Sequence, residues 1–288
     1  MNFLGLFGIL VFVVGILTVG DYGSNWDEPA HYLRGQSLLR YFLTGKKDYT
    51  DLPKLLIHYG PNIKESLEGT VLPDDATFRR SIYQFDRNGD QFTFYYWERQ
   101  IGSHPPLNGL LASASNYLFY QKLGIAGDID SYHIFIVTVS ALLVFLVVFI
   151  AYRWYGLFPG IVSGLALALY PLFFAESHVN IKDPVEAAFY SMTVYAFYKV
   201  VTTKKILWAI LASFCAAFAL GTKFNIVFAP FTMTAWLVCY LIGKKDKFRI
   251  LISPAVWLSA VGMMAIPFIV LYAIWPSLWG RPIVGLKE

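Results

Sequence analysis

Two adjacent carboxylates are the first residues in the chain that could do chemistry. Asp27 and Glu28 lie in the stretch SNWDEPAHY, directly after the uncharged run at residues 3–20. A carboxylate at such a boundary could act as a general base, because partial burial tunes its affinity for a proton. The same residues could simply start a helix, with Ser24 or Asn25 as N-cap and acidic side chains favoured by the helix dipole. The two interpretations are compatible.

A second motif, His104-Pro105-Pro106-Leu107, precedes the next apolar segment. Prolines suit the first turn of a helix, so the motif could be no more than a turn and a helix start. The histidine could also donate a hydrogen bond to a phosphate oxygen or orient a carboxylate. His104 is therefore a candidate substrate-binding residue.

One short connection between apolar runs is dense in ionisable groups. It carries Glu176, His178, Lys182, Asp183 and Glu186. A solvated loop would account for this composition. Alternatively, Lys182 could bind a phosphate and Asp183 a sugar hydroxyl, since an ammonium donates hydrogen bonds and a carboxylate accepts them.

A further lysine, Lys223, interrupts two apolar runs in the stretch LGTKFN. A lysine at membrane depth is a candidate for function, and Lys223 could neutralise a phosphate. The alternative is an interfacial lysine whose stem lies along apolar surface while its ammonium reaches water.

A metal centre is the remaining chemical alternative. The side chains that could converge on a divalent ion are His31, His104, His178, Asp27, Glu28 and Asp183. Their spacing matches no metal-binding motif such as HExxH, so the sequence does not favour a metal site. Motifs for a nucleophilic serine or a phosphate-binding loop, GxSxG and GxxxxGK[ST], are also absent from the sequence.

The composition defines the class of protein that holds these residues. Hydrophobic residues make up 57% of the chain and charged residues only 15%, with a net charge of +4. Such a chain is an all-α polytopic membrane protein, and nothing in it resembles a nucleic-acid-binding surface. The two cysteines, Cys215 and Cys239, lie inside apolar runs and form no disulfide framework.

The apolar runs predict about seven membrane spans around one long polar insertion at residues 21–130. The first run has no preceding Lys or Arg and no A-x-A site, which favours a retained helix over a cleaved signal peptide. Within the insertion, the stretch HYLRGQSLLRYFLTG predicts an amphipathic helix along the membrane surface. The predicted spans are residues 3–20, 132–152, 157–175, 184–201, 205–221, 224–242 and 250–275.

The distribution of basic residues predicts the orientation. Lys and Arg are concentrated in the connections at residues 153–156, 199–205 and 243–249. By the positive-inside rule these connections are cytoplasmic. The insertion at residues 21–130 and the motifs around it are then extracytoplasmic.

These pieces together resemble the GT-C superfamily of membrane glycosyltransferases, above all its protein mannosyltransferase and aminoarabinose-transferase branch. The resemblance covers nearly the whole chain but only the front part of the family pattern. We therefore expect residues 1–288 to form one GT-C-type transmembrane domain that lacks the C-terminal part of its relatives. The matching motifs are Asp27-Glu28, His104-Pro105-Pro106-Leu107, Lys182-Asp183-Pro184 and Thr222-Lys223.

The resemblance implies an inverting transfer of a mannose-like hexose or a pentose from a polyprenyl-phosphate donor to a protein, lipid or glycan acceptor. The family's catalytic carboxylate matches Asp27, with Glu28 beside it, and Asp183 matches a second acid that orients acceptor or sugar. The donor is a substrate, and no cofactor is predicted. The membrane would be the plasma membrane or the endoplasmic reticulum. The predicted substrate-binding residues are His104, Lys182, Lys223, Tyr32 and His178.

Two other functions are possible for a polytopic membrane protein with these polar motifs. A transporter or flippase needs ionisable groups along a path through the membrane, whereas here they lie at the ends of spans on one side. A non-catalytic membrane scaffold or binding subunit predicts that Asp27 and Asp183 lie far apart, or that they are solvated without converging. A structure in which both carboxylates face one cavity would therefore argue for an enzyme.

Overall fold

The structure, a computed structural model, describes residues 3–52, 79–84, 104–242, 244–245 and 247–279. Residues 44–90 are rich in Asp, Gly, Pro and Lys, a composition that predicts a loop with short helices, and most of this segment lies outside the described ranges. The described residues are helical and contain no strand. The all-α membrane-type fold expected from the sequence is therefore confirmed.

Eleven α-helices are found in the described part of the chain. Short 3-10 turns follow or precede some of them, and α3 continues into a π-helical segment at Tyr117–Lys122. In chain order they are α1 Phe3–Thr18, α2 Glu28–Thr44, α3 Leu107–Asn116, α4 Asp128–Tyr155, α5 Leu157–Ala168, α6 Pro171–Val179, α7 Asp183–Thr203, α8 Ile206–Thr222, α9 Ala229–Leu241, α10 Lys247–Leu251 and α11 Pro254–Ile274.

Not all of the seven predicted spans have the length and composition of a membrane-crossing helix. Three helices do, namely α4, α9 with its preceding 3-10 turn, and α11. Helices α5 and α6 together would make a fourth span, bent by 60° just before Pro171, a residue that cannot continue a regular helix. Helices α1 and α8 are apolar but shorter, and α7 carries Asp183 and Glu186 at its start. The count of seven stays a prediction.

Proline marks the start of five helices. The residues at these starts are Pro29, Pro171, Pro184, Pro230 and Pro254. Proline suits the first turn because its missing N–H would have no partner there anyway. Pro29 and Pro184 therefore favour helix starts directly beside Asp27 and Asp183.

Helix α8 packs between α7 and α11 through a face of small residues. Ala209, Ala212, Ala216 and Ala219 are all buried along it. Small side chains allow helices to approach closely, as is common in membrane bundles. This packing holds the end of α8, and hence Lys223, beside the start of α7.

The segment expected to form an amphipathic helix in the insertion is helix α2, whose residues 31–38 are all buried and whose contact with α3 is unusually close. Its position along the membrane surface stays a prediction. A Cβ on Gly109 would lie 2.5 Å from the backbone oxygen of His31, and one on Gly35 would overlap the backbone of Gly109. Only glycine permits such an approach of two helix backbones. The crossing brings the start of α2 next to the His104 motif.

Candidate active site

The start of α2 directs its two acidic side chains to different surroundings. Glu28 is fully buried, and its Oε2 accepts the backbone N–H of Asn25 at 2.9 Å and the hydroxyl of Ser24 at 3.2 Å. The same oxygen lies 3.1 Å from Nε2 of His133 in α4. The reach back to Asn25 ties the turn before α2 to the first residue of the helix. Glu28 therefore holds the helix start in place, although it was predicted to be catalytic.

Asp27, in contrast, remains accessible and forms an ion pair. Its side chain is 28% exposed, and Nζ of Lys182 donates to its Oδ2. Lys182 comes from the turn before α7, so the pair joins two elements that are far apart in the chain. The structure thus brings together two of the residues singled out in the sequence.

A second ion pair lies directly beside the first. Nζ of Lys223, at the end of α8, donates to Oδ1 of Asp183 at 2.6 Å. The amide of Asn180 donates to the other oxygen of Asp183 at 3.0 Å, while its own oxygen accepts the backbone N–H groups of Lys182 and Asp183. Asn180 thus closes an Asx-type turn just ahead of α7, a local pattern that its spacing from Lys182 could have predicted.

We call Asp27, Lys182, Asp183 and Lys223 the charged row, since acid and base alternate across three elements. The exposed fractions of Asp183 and Lys223, 56% and 35%, show that the row is open to solvent. Ion pairs of this kind contribute only about 0–1 kcal/mol to stability. Burial alone would raise the pKa of Asp183, but the bonds from Lys223 and Asn180 outweigh it and hold that pKa below its ordinary value.

Two histidines flank the charged row with their rings 5.6 Å apart. Burial, together with the charge of Lys182, lowers the pKa of His31 to about 4. The pKa of His104 is also lowered, first by burial and then by Lys182 and Arg34. At neutral pH both rings are uncharged, so His104 is suited to a single hydrogen bond rather than to charge neutralisation.

Arg34, which the sequence presented only as one polar residue of an amphipathic helix, anchors the His104 motif. Its guanidinium donates to the backbone oxygen of His104 and lies 5.0 Å from the ring centroid of Trp275. The side chain is buried, at 2% exposure. A cation over an indole face is a favourable contact, and here it connects α2 to the residue after α11.

Tyr32 and His178 are not brought to the charged row, although both were predicted to bind substrate. Tyr32 is fully buried and stacks on Tyr132 at 4.1 Å, and its pKa is raised by burial and by the charge of Glu28. His178 is also buried, with Nε2 2.9 Å from the hydroxyl of Thr18 and Nδ1 2.7 Å from the oxygen of Phe174. Both side chains connect helices.

Glu186 lies near the charged row but does not join it through a hydrogen bond or an ion pair that the structure describes. Glu186, one turn after Asp183, is buried, and the described residues offer its two carboxylate oxygens no hydrogen-bond partner. Within the same described ranges, no group of three His, Cys, Asp or Glu side chains lies close enough to hold a metal ion.

Comparison with known proteins gives the family of the chain. A family model described as dolichyl-phosphate-mannose-protein mannosyltransferase matches residues 103–275. The match includes His104, Lys182, Asp183 and Lys223 and begins after Asp27. No curated protein and no solved structure matches the chain significantly. Because the matched segment is more than half of the sequence, the chain belongs to the dolichyl-phosphate-mannose-protein mannosyltransferase family of multi-pass membrane glycosyltransferases.

Proposed function

We propose that this protein transfers a mannose-like sugar from a polyprenyl-phosphate donor to an acceptor hydroxyl on the extracytoplasmic side, with Asp27 as general base. The charged row is the observation that carries the proposal. It sets two carboxylates and two ammonium groups side by side at an accessible surface. Family membership supports a dolichyl-phosphate-linked mannose as the donor.

The proposed reaction needs one carboxylate to accept a proton. The acceptor oxygen bonds to the anomeric carbon while the bond from that carbon to the phosphate oxygen breaks, and the electron pair stays on the phosphate. The acceptor proton moves to Asp27. Attack opposite to the leaving phosphate inverts the anomeric carbon, as in inverting glycosidases, although a phosphate requires little help from an acid to leave.

The lysines of the charged row would stabilise the phosphate as it leaves. Its negative charge increases as the sugar–oxygen bond breaks, and ammonium groups placed beforehand stabilise that charge. Lys182 and Lys223 supply the two cations, and the uncharged His104 ring supplies a hydrogen bond. Asp183, already held by Asn180, would orient a hydroxyl of the sugar or of the acceptor.

An aromatic cavity, lined by residues that follow Asp183 along α7, supports a lipid-linked donor. The cavity, of about 390 Å³, lies between α4, α7 and α9. Of the α7 residues that line the cavity, Tyr190 is nearest in sequence to Asp183. It follows Asp183 by seven residues, or about 10 Å along the helix. A prenyl chain could lie against such apolar walls. The lining residues include Trp154, Tyr190, Tyr195, Tyr198 and Trp236.

The same geometry disfavours the two alternatives. Helix α11 carries no charged residue, and the charged residues of α4 lie at its ends, so neither helix supplies an ionisable path through the membrane. The ion pair of Asp27 with Lys182, the chain neighbour of Asp183, disfavours a scaffold in which the two carboxylates lie far apart.

Sugar transfer by the full chain in reconstituted membranes tests the proposal. With a panel of polyprenyl-phosphate sugars that includes dolichyl-phosphate mannose, we expect Asp27→Asn to lower the transfer rate by about 10²–10⁴-fold while dolichyl phosphate still binds. Asp51→Asn is the matched control, because Asp51 is also an exposed acid paired with a lysine. Transfer at the wild-type rate by Asp27→Asn would remove Asp27 as the base. Absence of transfer from every donor would contradict the proposed function.

A further inference from the structure

The contact between Lys182 and Asp27 has a consequence for the order of events at the charged row. On the basis of the proposed function, we infer that the donor phosphate and Asp27 compete for the ammonium of Lys182, so that donor binding releases the Asp27 carboxylate. The acceptor can then be deprotonated only after the donor has bound. The protein would thus follow a compulsory order, donor first.

The local geometry allows Lys182 to change partner without movement of α7. The backbone N–H of Lys182 is bonded to Asn180 at 2.9 Å, which fixes the main chain at the start of the helix. The side chain, 17% exposed, ends in an ammonium on a flexible four-carbon stem. The ammonium can therefore turn from the carboxylate towards a phosphate while its backbone stays in place.

The two acids of the charged row, Asp27 and Asp183, differ in their hydrogen-bond donors. Asp183 accepts from Asn180 as well as from Lys223, so it stays oriented when Lys223 turns towards a phosphate. Asp27 is held through Lys182, and the loss of that bond frees the oxygen that would accept a proton. The exchange thus leaves Asp183 as an orienting group and makes Asp27 available as the base.

The exchange becomes more favourable as the reaction proceeds. Pairs between exposed side chains are weak, so a phosphate can displace a carboxylate from them. As the sugar–oxygen bond breaks, the phosphate gains negative charge and attracts both lysines more strongly. The ammonium of Lys182 is therefore drawn away from Asp27 most strongly when Asp27 must take the proton, which is the condition for transition-state stabilisation.

Zero-length crosslinking measures this exchange without sugar transfer. A water-soluble carbodiimide joins a carboxylate and an amine in contact as an amide, and it is itself converted to a urea. The full chain in lipid nanodiscs is treated with and without dolichyl phosphate, and the Asp27–Lys182 peptide is quantified by mass spectrometry. At about ten times the dissociation constant, the lipid occupies about nine-tenths of the sites, so the yield should fall about tenfold. Labelling of Asp27 by an added amine should rise.

A second ion pair in the same chain serves as the control. Lys46 and Asp51 are 2.5 Å apart and exposed, and both lie at or beyond the C-terminal end of α2, whereas the charged row lies at its start. Their crosslink should not change when dolichyl phosphate is added. In Lys182→Met, labelling of Asp27 should be high with or without the lipid. Labelling that still depends on the lipid in this variant would overturn the inference.

The outcomes separate the inference from the proposed function. Binding of radiolabelled dolichyl phosphate with an unchanged Asp27–Lys182 crosslink would overturn the inference and leave the proposed donor in place. Lack of binding would contradict the proposed donor and with it the inference. An equal fall in crosslink yield with inorganic phosphate would support the exchange and assign it to the phosphate group rather than to the lipid chain.

Discussion

Two neighbouring acids, Asp27 and Glu28, show how much the surroundings of a residue decide its function. Asp27 lies in the charged row, whereas Glu28 is closed off against His133. We expect Glu28→Ala to destabilise the protein by about 1–3 kcal/mol, because it removes the hydrogen-bond partner of the buried His133 ring and the acceptor of the Asn25 N–H. Thermal unfolding in detergent measures the change. Glu28→Gln, which keeps an acceptor oxygen, should lose less, and equal stability of both variants and wild type would refute the assignment.

His31 predicts how stability depends on pH. Its pKa is about 4 in the folded protein and about 6.5 when unfolded. Above pH 6.5 the ring is neutral in both states. As the pH falls from 6.5 towards 4, the unfolded state binds the proton first, so stability is lost at about 1.4 kcal/mol per pH unit. His31→Asn should show a shallower fall in unfolding temperature between pH 7 and 5, and an identical slope would contradict this account.

At the scale of elements, the crossing of α2 and α3 is the contact most sensitive to a single methyl group. We expect Gly35→Ala to force the helices apart, because its Cβ would overlap the backbone of Gly109. The variant should lower both the unfolding temperature and the transfer rate, since the crossing also positions Asp27 and His104. Gly5→Ala is the control, because nothing lies within 4 Å of its added Cβ. Equal effects of the two substitutions would argue against the crossing as the cause.

At the scale of the whole molecule, the sides of the membrane can be tested directly. Helix α7 has 21 residues and is therefore about 30 Å long, which separates Asp183 from Lys205 by about the thickness of the hydrocarbon core. In a variant that lacks Cys215 and Cys239, we expect an impermeant maleimide to label Trp26→Cys in intact cells. Lys205→Cys should react only after permeabilisation. Labelling of both sites in intact cells would contradict the proposed orientation.

The sequence predicted the residues of the charged row. It did not predict contacts that depend on how the helices pack against one another. Asp27, Lys182, Asp183 and Lys223 stand out because each is charged at the end of an apolar run. His133 could not be found in this way, since it is one polar residue in an apolar segment and its partner lies 105 positions away. The turn that Asn180 closes ahead of α7 could have been predicted from local spacing. The function of Arg34 could not, because its acceptor depends on how α2 crosses α3.

The spans illustrate the same limit at larger scale. Hydropathy located most of the helices, and an internal proline, Pro171, predicts the kink that is found as the 60° bend between α5 and α6. The π-helical segment at Tyr117–Lys122 was not predicted, because it depends on backbone hydrogen bonding rather than on the average polarity of a segment. By length and composition, the described helices consequently support three or four spans, whereas the apolar runs of the sequence predicted seven.

The alternation of charge in the row also bears on which lipids can compete for it. Each lysine already contacts a carboxylate, so a headgroup that reaches only one ammonium exchanges one ion pair for another. A phosphate that contacts both Lys182 and Lys223 forms two charge-assisted bonds at once. Anionic phospholipids greatly outnumber polyprenyl phosphates in a membrane. We therefore expect the charged row to bind a phosphate that contacts both Lys182 and Lys223 in preference to the headgroups of anionic phospholipids that contact only one of them.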